Sequence, residues 1–461
     1  MQGAQGRGRG GRGGGRGPVR LTRRGKFLVW TVGVLAVVLA GSGGAGAWIY
    51  RSLDGNIHAG DIDGKIGGDR PDNLSPGALN ILVVGSDSRD GANAKYGKDL
   101  DTMQSDTLMV LHLSADRKWG TVVSMPRDSW VPIAACDRGD GTTSAPHRAK
   151  INEAFAIGGM KGDVGGAAAC TIRTIEQNTG LRIDHFMSVD FQGFKGMVNA
   201  VDGIEVCPEQ AMRDEKAHLD LAAGCQTVKD EEALGYVRTR YSVGDGSDIG
   251  RIGRQQEFME ALVAKARKKL TSPRAMYGVL DSATKSVTTD PKLAGIKPLT
   301  SLASDIRGIA SDRLVFLTVP NYPRELDVPT DKANISWQYP QAQDLFTALA
   351  RDEEIDKDRL TTPAPLAART ISVQALNGTG EAGAAAEAAE QLRLAGYSVA
   401  GTGNAGESAE KTTVTCPPGF EKQARAVAQR LRRPVTPRAD AGAAPGVVTL
   451  TIGADFEGVR G

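Results

Sequence analysis

Charged residues that suit phosphate chemistry cluster at the ends of apolar runs. Gly85-Ser86-Asp87-Ser88-Arg89 overlaps the end of the run NILVVG, Ser105-Asp106-Thr107 opens TLMVLHL, and Pro126-Arg127-Asp128 follows WGTVVSM. Further on, Tyr236-Val237-Arg238-Thr239-Arg240 reads as an extended segment, in which alternation puts Arg238 and Arg240 on one side. Asp248, Arg251 and Gln255 fall at i, i+3 and i+7 where a helix opens, a single face. Carboxylates beside a hub of arginines are what a diphosphate needs. Arg binds phosphate oxygens bidentately, while Mg²⁺ takes one or two protein carboxylates plus the phosphates themselves. Each residue alone has a blander reading, Asp248 as a helix N-cap and the others as surface ion pairs. Their concentration in loops and helix starts favours a phosphate-binding site.

These loops need strands and helices to hold them. Apolar runs over 80–85, 107–113 and 119–125 read as strands, and 165–179 and 191–200 as helices. The expected architecture is α/β, a mixed central sheet covered by helices. Helices follow over 230–236 and 249–270, with a further strand over 313–319. Residues 357–369 contain TTPAPLA and read as a linker that lets the C-terminal part of the chain move. After it comes a βαββαβ pattern: strands over 371–376, 397–401, 412–416 and 446–452, helices over 384–395 and 420–432. That gives a small α+β domain over 370–458, beside a larger one over 79–356.

The start of the chain bears on compartment. Before Phe27 there are seven Arg, one Lys and no acid, so 1–26 is a basic tail. The uncharged stretch from Phe27 to Tyr50 is long enough to cross a hydrocarbon layer of roughly 30 Å, and Trp30, Trp48 and Tyr50 sit near its ends. The positive side stays in the cytoplasm, so a single-pass anchor over 27–50 leaves the bulk outside the cell membrane. Ala45-Gly46-Ala47 offers a signal-peptidase alternative, against which the length of the run and its aromatic flanks argue. Beside a membrane span the basic tail sets topology, and nucleic acid is not an expected partner. Residues 51–78, rich in Gly and Asp, read as a stalk.

Of five cysteines, Cys136, Cys170, Cys207 and Cys225 lack CxxC metal spacing, and an oxidising exterior favours two disulfides. Cys136–Cys170 with Cys207–Cys225 is the preferred pairing, since each closes a local insertion, although the sequence leaves three connectivities open. Cys416 reads as a small buried apolar residue.

The motifs SDTLMVLHL, VVSMPRDSWV, KINEAFAIGG, IDHFMSVDFQGFKGMVNAVDGIEV, ALGYVRTRY and DIGRIGRQQEF, in that order, resemble the LytR-CpsA-Psr family of wall glycopolymer transferases over 79–270. VQALNGTG, LAGY and TTVTCPPGFEKQARAVA are similar to the LytR C-terminal domain. The resemblance implies transfer of a glycan from a polyprenyl-diphosphate carrier to peptidoglycan. Asp87 and Asp106 would hold Mg²⁺, and Arg127, Arg238, Arg240, Arg251 and Gln255 would clamp the diphosphate. Arg254 would support them, Lys150 would add charge, and Asp248 would orient an arginine or the acceptor. Phe186, Val189, Phe191, Phe194, Met197 and Val198 would line a tunnel for the polyprenyl chain, although such residues are more often ordinary core. One position departs from the family pattern: Gln104 stands where many members have Arg, and Lys98 is the nearby charge that would replace it.

Other chemistries are disfavoured, because the chain has no GxxxxGK[ST], HExxH or GxSxG. His185 beside Asp184 lacks a nucleophile partner and is expected to be structural, and Asn152 and Glu153 to begin a helix. The rival reading is a non-catalytic wall- or lipid-binding regulator of the envelope, favoured by Gln104 and the extra domain.

Overall fold

The computed structural model describes residues 51–86, 103–239, 248–269, 281, 284–285, 287–360 and 365–460. The expected anchor over 27–50 lies outside them, as do Asp87, Lys98 and Arg240; among the described residues no helix is long and apolar enough to cross a membrane. Packing divides the chain into Met1–Gly55 and Asn56–Gly461. In the first unit residues 51–54 are helical.

In the second unit the strands run β1 (His58–Ala59), β2 (Leu79–Ser86), β3 (Ser105–Leu113), β4 (Gly120–Met125), β5 (Trp130–Ile133), β6 (His147–Lys150) and β7 (His185–Val189). They continue with β8 (Ile204–Val206), β9 (Met212–Asp214), β10 (Leu219–Leu221), β11 (Gln226–Val228), β12 (Val287–Thr289), β13 (Leu314–Thr318), β14 (Asn321–Pro323) and β15 (Ile335–Trp337). The central sheet has the order β1-β12-β7-β2-β3-β4-β13. It is mixed as expected, with β2 parallel to β7 and antiparallel to β3.

Both faces of this sheet are covered, which is why β2 reads as a continuous apolar run rather than an alternating one. Leu82, Val84, Leu108, Val110 and Val123 face a core shared with helices Val164–Thr179 and Gln341–Ala350. Ile81 and Leu113 point the other way, against Leu293, Leu302 and Ile309 around helix Ile296–Gly308.

The stalk expectation does not hold for 56–78. Gly60 N donates to Thr289 O at 2.8 Å, Ile62 and Ile66 enter the main core, and Arg70 binds the buried Glu176 through Nε and Nη2. Gly and Asp made this segment look solvated, but its two spaced isoleucines and Arg70 tie it down. The larger domain therefore begins well before Leu79. Both preferred disulfides are present, Cys136–Cys170 and Cys207–Cys225, and Cys416 is free and buried.

The C-terminal domain follows the expected pattern with one addition. Strands β16 (Ser372–Asn377), β17 (Ser398–Asn404), β18 (Thr413–Cys416), β19 (Arg438–Ala439) and β20 (Val447–Ile452) order as β17-β16-β20-β18-β19, covered by helices Ala384–Leu394 and Glu421–Arg430. The two-residue β19 is too short to show in a pattern of apolar residues. Contrary to the expected mobility, this domain is docked. Within the linker, Lys357–Leu360 is helical, Ala368 N donates to Asp327 Oδ1 at 2.8 Å, and Arg369 Nε donates to Leu326 O at 2.9 Å.

Candidate active site

A cavity of about 300 Å³ lies where β2, β3 and β7 meet the helices that follow β7. The sheet contributes Val83, Val84 and Gly85 from β2, Asp106, Thr107 and Met109 from β3, and Val189 from β7, with Asp190 just beyond. Arg127 enters from the loop after β4. Helix Phe191–Ala200 supplies Phe191, Phe194 and Met197, helix Asp230–Arg238 supplies Leu234, Val237 and Arg238, and helix Asp248–Lys269 supplies Arg251, Gln255 and Met259.

Charge and apolar surface share this one space. Arg127 Nη1 donates to Asp106 Oδ1, and Arg127 Nε lies 4.0 Å from Asp128 Oδ2. Arg238 is the last residue of its helix, not part of an extended segment, and its guanidinium stacks 4.6 Å from the Phe191 ring centroid. Arg251 is only 3% exposed. Two bonds lock the helices that carry these arginines: Gln255 Nε2 donates to Val237 O at 2.9 Å, and Arg254 Nη2 to Thr239 O at 2.7 Å. Burial pulls the Arg254 guanidinium below its ordinary pKa, yet the group stays charged. Arg254, expected to bind substrate in support of the clamp, does not line the cavity but ties its helix to the Arg238 segment.

Other residues expected at the site lie elsewhere. Phe186 is fully buried in the main core, because on β7 it alternates with Val189, which does reach the cavity. Val198 is likewise core, packed with Val201 and Ile204. Lys150 does not line the cavity; its Nζ donates to Asp128 Oδ1 at 2.6 Å, one residue along from Arg127. Gln104 is exposed and also outside the lining. Asp248 lies at the start of its helix, and its side chain is outside the described residues.

Sequence reading missed the fourth wall. The ribbon β9/β10, inside the loop closed by Cys207–Cys225, brings Asp214, Lys216 and Ala217 to the cavity. Asp214 accepts Thr239 Oγ1 at 2.7 Å and the amides of Lys216 and Ala217 at 3.0 and 3.2 Å, which couples the ribbon to the Arg238 segment. The cysteine pair enclosing a charged stretch was the available signal. Asp190 was also missed; its Oδ1 caps helix Phe191–Ala200 by accepting Gly193 N at 2.7 Å. His185 is structural as expected, its Nδ1 lying 3.1 Å from both oxygens of Asp290.

The sequence pattern of the LytR_cpsA_psr family matches residues 49–350, well over half of the chain. The chain belongs to this family. Residues 370–456 match the pattern described as LytR cell envelope-related transcriptional attenuator. In Corynebacterium glutamicum, the probable cell wall biosynthesis protein LcpB is 33% identical over 280 residues, 59% of this chain and 60% of its own length. The cell wall biosynthesis protein LcpA of the same organism is 29% identical over 83% of this chain and 77% of its own. The polyisoprenyl-teichoic acid–peptidoglycan teichoic acid transferase TagT of Bacillus subtilis is 26% identical over 63% of this chain and 85% of its own. Among solved structures, a LytR-Csp2A-Psr enzyme from Actinomyces oris superposes with a TM-score of 0.48 at 17% identity, over 64% of this chain and 96% of that one.

Proposed function

We propose that this protein transfers a phosphate-linked glycopolymer from a polyprenyl-diphosphate carrier to peptidoglycan, acting outside the cytoplasm from a single-pass anchor over 27–50. The observation that carries the reading is the cavity's two-part lining. Asp106, Arg127, Arg238, Arg251 and Gln255 meet the apolar Val83, Phe194, Met197, Leu234 and Met259 within one space. A ligand with a diphosphate head and a hydrocarbon tail satisfies both halves, whereas a nucleotide or free sugar phosphate leaves the apolar half unused. The named activity of the Bacillus TagT relative agrees with it. Two disulfides and the basic residues before Phe27 support the extracytoplasmic placement.

In the proposed step a peptidoglycan hydroxyl forms a bond to the sugar-side phosphorus, the bond from that phosphorus to the bridging oxygen breaks, polyprenyl monophosphate leaves with that oxygen and its electron pair, and the hydroxyl proton passes to the departing phosphate or to solvent. Arg127, Arg238 and Arg251 bind and orient the diphosphate and take up charge on the departing phosphate. The Phe191 ring lies under the Arg238 guanidinium and helps hold it at the cavity, and the apolar wall excludes water that would otherwise compete with the acceptor hydroxyl.

Mg²⁺ is a proposal too, and the donor set suits it. Among the described residues no group of three or more acids or other ligands could hold a metal by itself, and Asp106 places its carboxylate beside Arg127 at the cavity wall. A cation there would take most of its coordination from the substrate phosphates. Asp106, with Asp87 from outside the described residues, would hold it, and it would neutralise phosphate charge when bound.

The test uses the purified full chain in detergent with Mg²⁺ and a polyprenyl-diphosphate sugar, following release of polyprenyl monophosphate. Metal-dependent release that falls at least ~100-fold in Arg127→Ala is expected. Tight lipid binding without release in the wild type would instead establish the envelope-regulator reading.

A further inference from the structure

Arg430 ends helix Glu421–Arg430 of the C-terminal domain, yet its guanidinium reaches Asp327 and Tyr322 of the larger domain. Its Nη2 donates to Asp327 Oδ2 at 3.0 Å and to the Tyr322 hydroxyl, and Tyr322 in turn donates to Asp327 Oδ2 at 2.7 Å. Arg430 and Asp327 are 5% and 2% exposed. Gly396, at φ +90°, closes the contact from another side: a Cβ there would lie 2.6 Å from Asp327 Cβ. Arg324 Nη2 donates to Leu394 O at 2.5 Å, and Arg460 Nη1 to Asn178 O at 3.4 Å. A charge pair this deeply buried fixes geometry, because either partner alone is strongly unfavourable there.

The segment that receives this clamp leads directly to the cavity. Tyr322 lies on β14, which pairs with β15. From β15, Ile335 N donates to Asp128 O at 2.9 Å, and Trp337 Nε1 donates to Ser129 Oγ at 2.9 Å. Ser129 Oγ donates to Pro126 O at 2.6 Å, and Ile151 N to Ser129 O at 2.8 Å. The turn Pro126–Ser129 that presents Arg127 is thus bonded on its outer side to a short ribbon that the C-terminal domain grips at Tyr322, which pairs with Ser336 between Ile335 and Trp337.

We propose that the C-terminal domain is a brace for the Arg127 turn, with Arg430 the positioning residue that engages it through Asp327 and the β14/β15 ribbon. Its consequence for turnover rests on the function proposed above, but the brace itself does not. A diphosphate clamp loses effect when its arginine wanders by an ångström, so holding the turn from behind supports the chemistry without touching substrate.

The experiment is amide hydrogen exchange on the full chain, wild type against Arg430→Met. Protection at Ile335, Ser129 and Ile151 is expected to fall at least tenfold while Leu82 and Val110, in the sheet interior, stay within twofold. Gly396→Ala, which pushes on Asp327 without removing a charge, should loosen the same amides, and it carries the test if Arg430→Met does not fold. Arg430→Lys should restore part of the protection. Release of polyprenyl monophosphate is read in parallel, with kcat expected to fall by a larger factor than KM rises. Absence of turnover in every protein would sink the proposed function and leave the exchange result standing. Unchanged protection at the three amides in both variants would overturn the brace.

Discussion

Phe186 and Met197 stand eleven positions apart in one motif and do unrelated work. Phe186 is fully enclosed in the main core, whereas Met197 faces the cavity. Phe186→Ala should therefore cost about 3–5 kcal/mol of stability, read by denaturant unfolding. Met197→Ala should leave the unfolding midpoint nearly unchanged and raise KM for the polyprenyl donor roughly tenfold, in line with the ~1.5 kcal/mol that an apolar side chain contributes on burial. Equal stability losses in the two variants would contradict this division. At this scale the sequence was informative about type and poor about direction. Arg127, Arg238, Arg251, Gln255 and Asp106 were found because several arginines near acids are conspicuous. The side on which Phe186 falls depends on strand register, which the short mixed run HFMSV of β7 does not reveal.

The elements around the cavity differ in what holds them. The β9/β10 ribbon is small and depends on Cys207–Cys225, which spans 18 positions and by chain entropy contributes about 3 kcal/mol. Cys136–Cys170 spans 34 and contributes about 4 kcal/mol, but it lies away from the cavity lining. Replacing each pair by serines should lower stability in both cases, while only loss of Cys207–Cys225 should weaken donor binding, because Asp214, Lys216 and Ala217 then lose their place.

β12 is held to β7 by Asp290, whose carboxylate faces His185 and accepts the Phe186 amide at 3.2 Å. Burial works to raise the Asp290 pKa, but the His185 ring and the amides of Phe186 and Lys292 outweigh it and hold the carboxyl below its ordinary value of 3.8. A depressed carboxyl stabilises the fold fully above its unfolded pKa and less as pH falls through the folded one. Asp290→Asn should thus be destabilised at pH 7 and show a flatter loss of stability below about pH 4 than the wild type, measured as Tm against pH. Short strands such as β8 to β12 were not legible, since three residues cannot display a period. The long runs over β2, β3 and β4 were.

For the whole molecule, the linker composition suggested two bodies that move independently, and the buried contact argues for one cooperative unit. No feature of TTPAPLA predicts that Asp327 and Arg430, 103 positions apart, will meet. Long-range ion pairs leave no trace in local sequence, and so the docking of the two domains was the least legible part of the fold. Their burial has a thermodynamic signature. In Arg430→Met the Asp327 carboxylate stays buried without its charge partner, which should cost about 3–5 kcal/mol. Asp327→Asn keeps an oxygen for the Ala368 amide and removes the charge, so the double variant Arg430→Met/Asp327→Asn should be more stable than Arg430→Met alone. Calorimetry of the full chain measures this: one transition is expected for the wild type, and two for Arg430→Met, with partial recovery in the double variant. Additive losses would mean that the two residues do not act on each other, and that the domains are held by the surrounding contacts of Arg324, Gly396 and Arg460 instead.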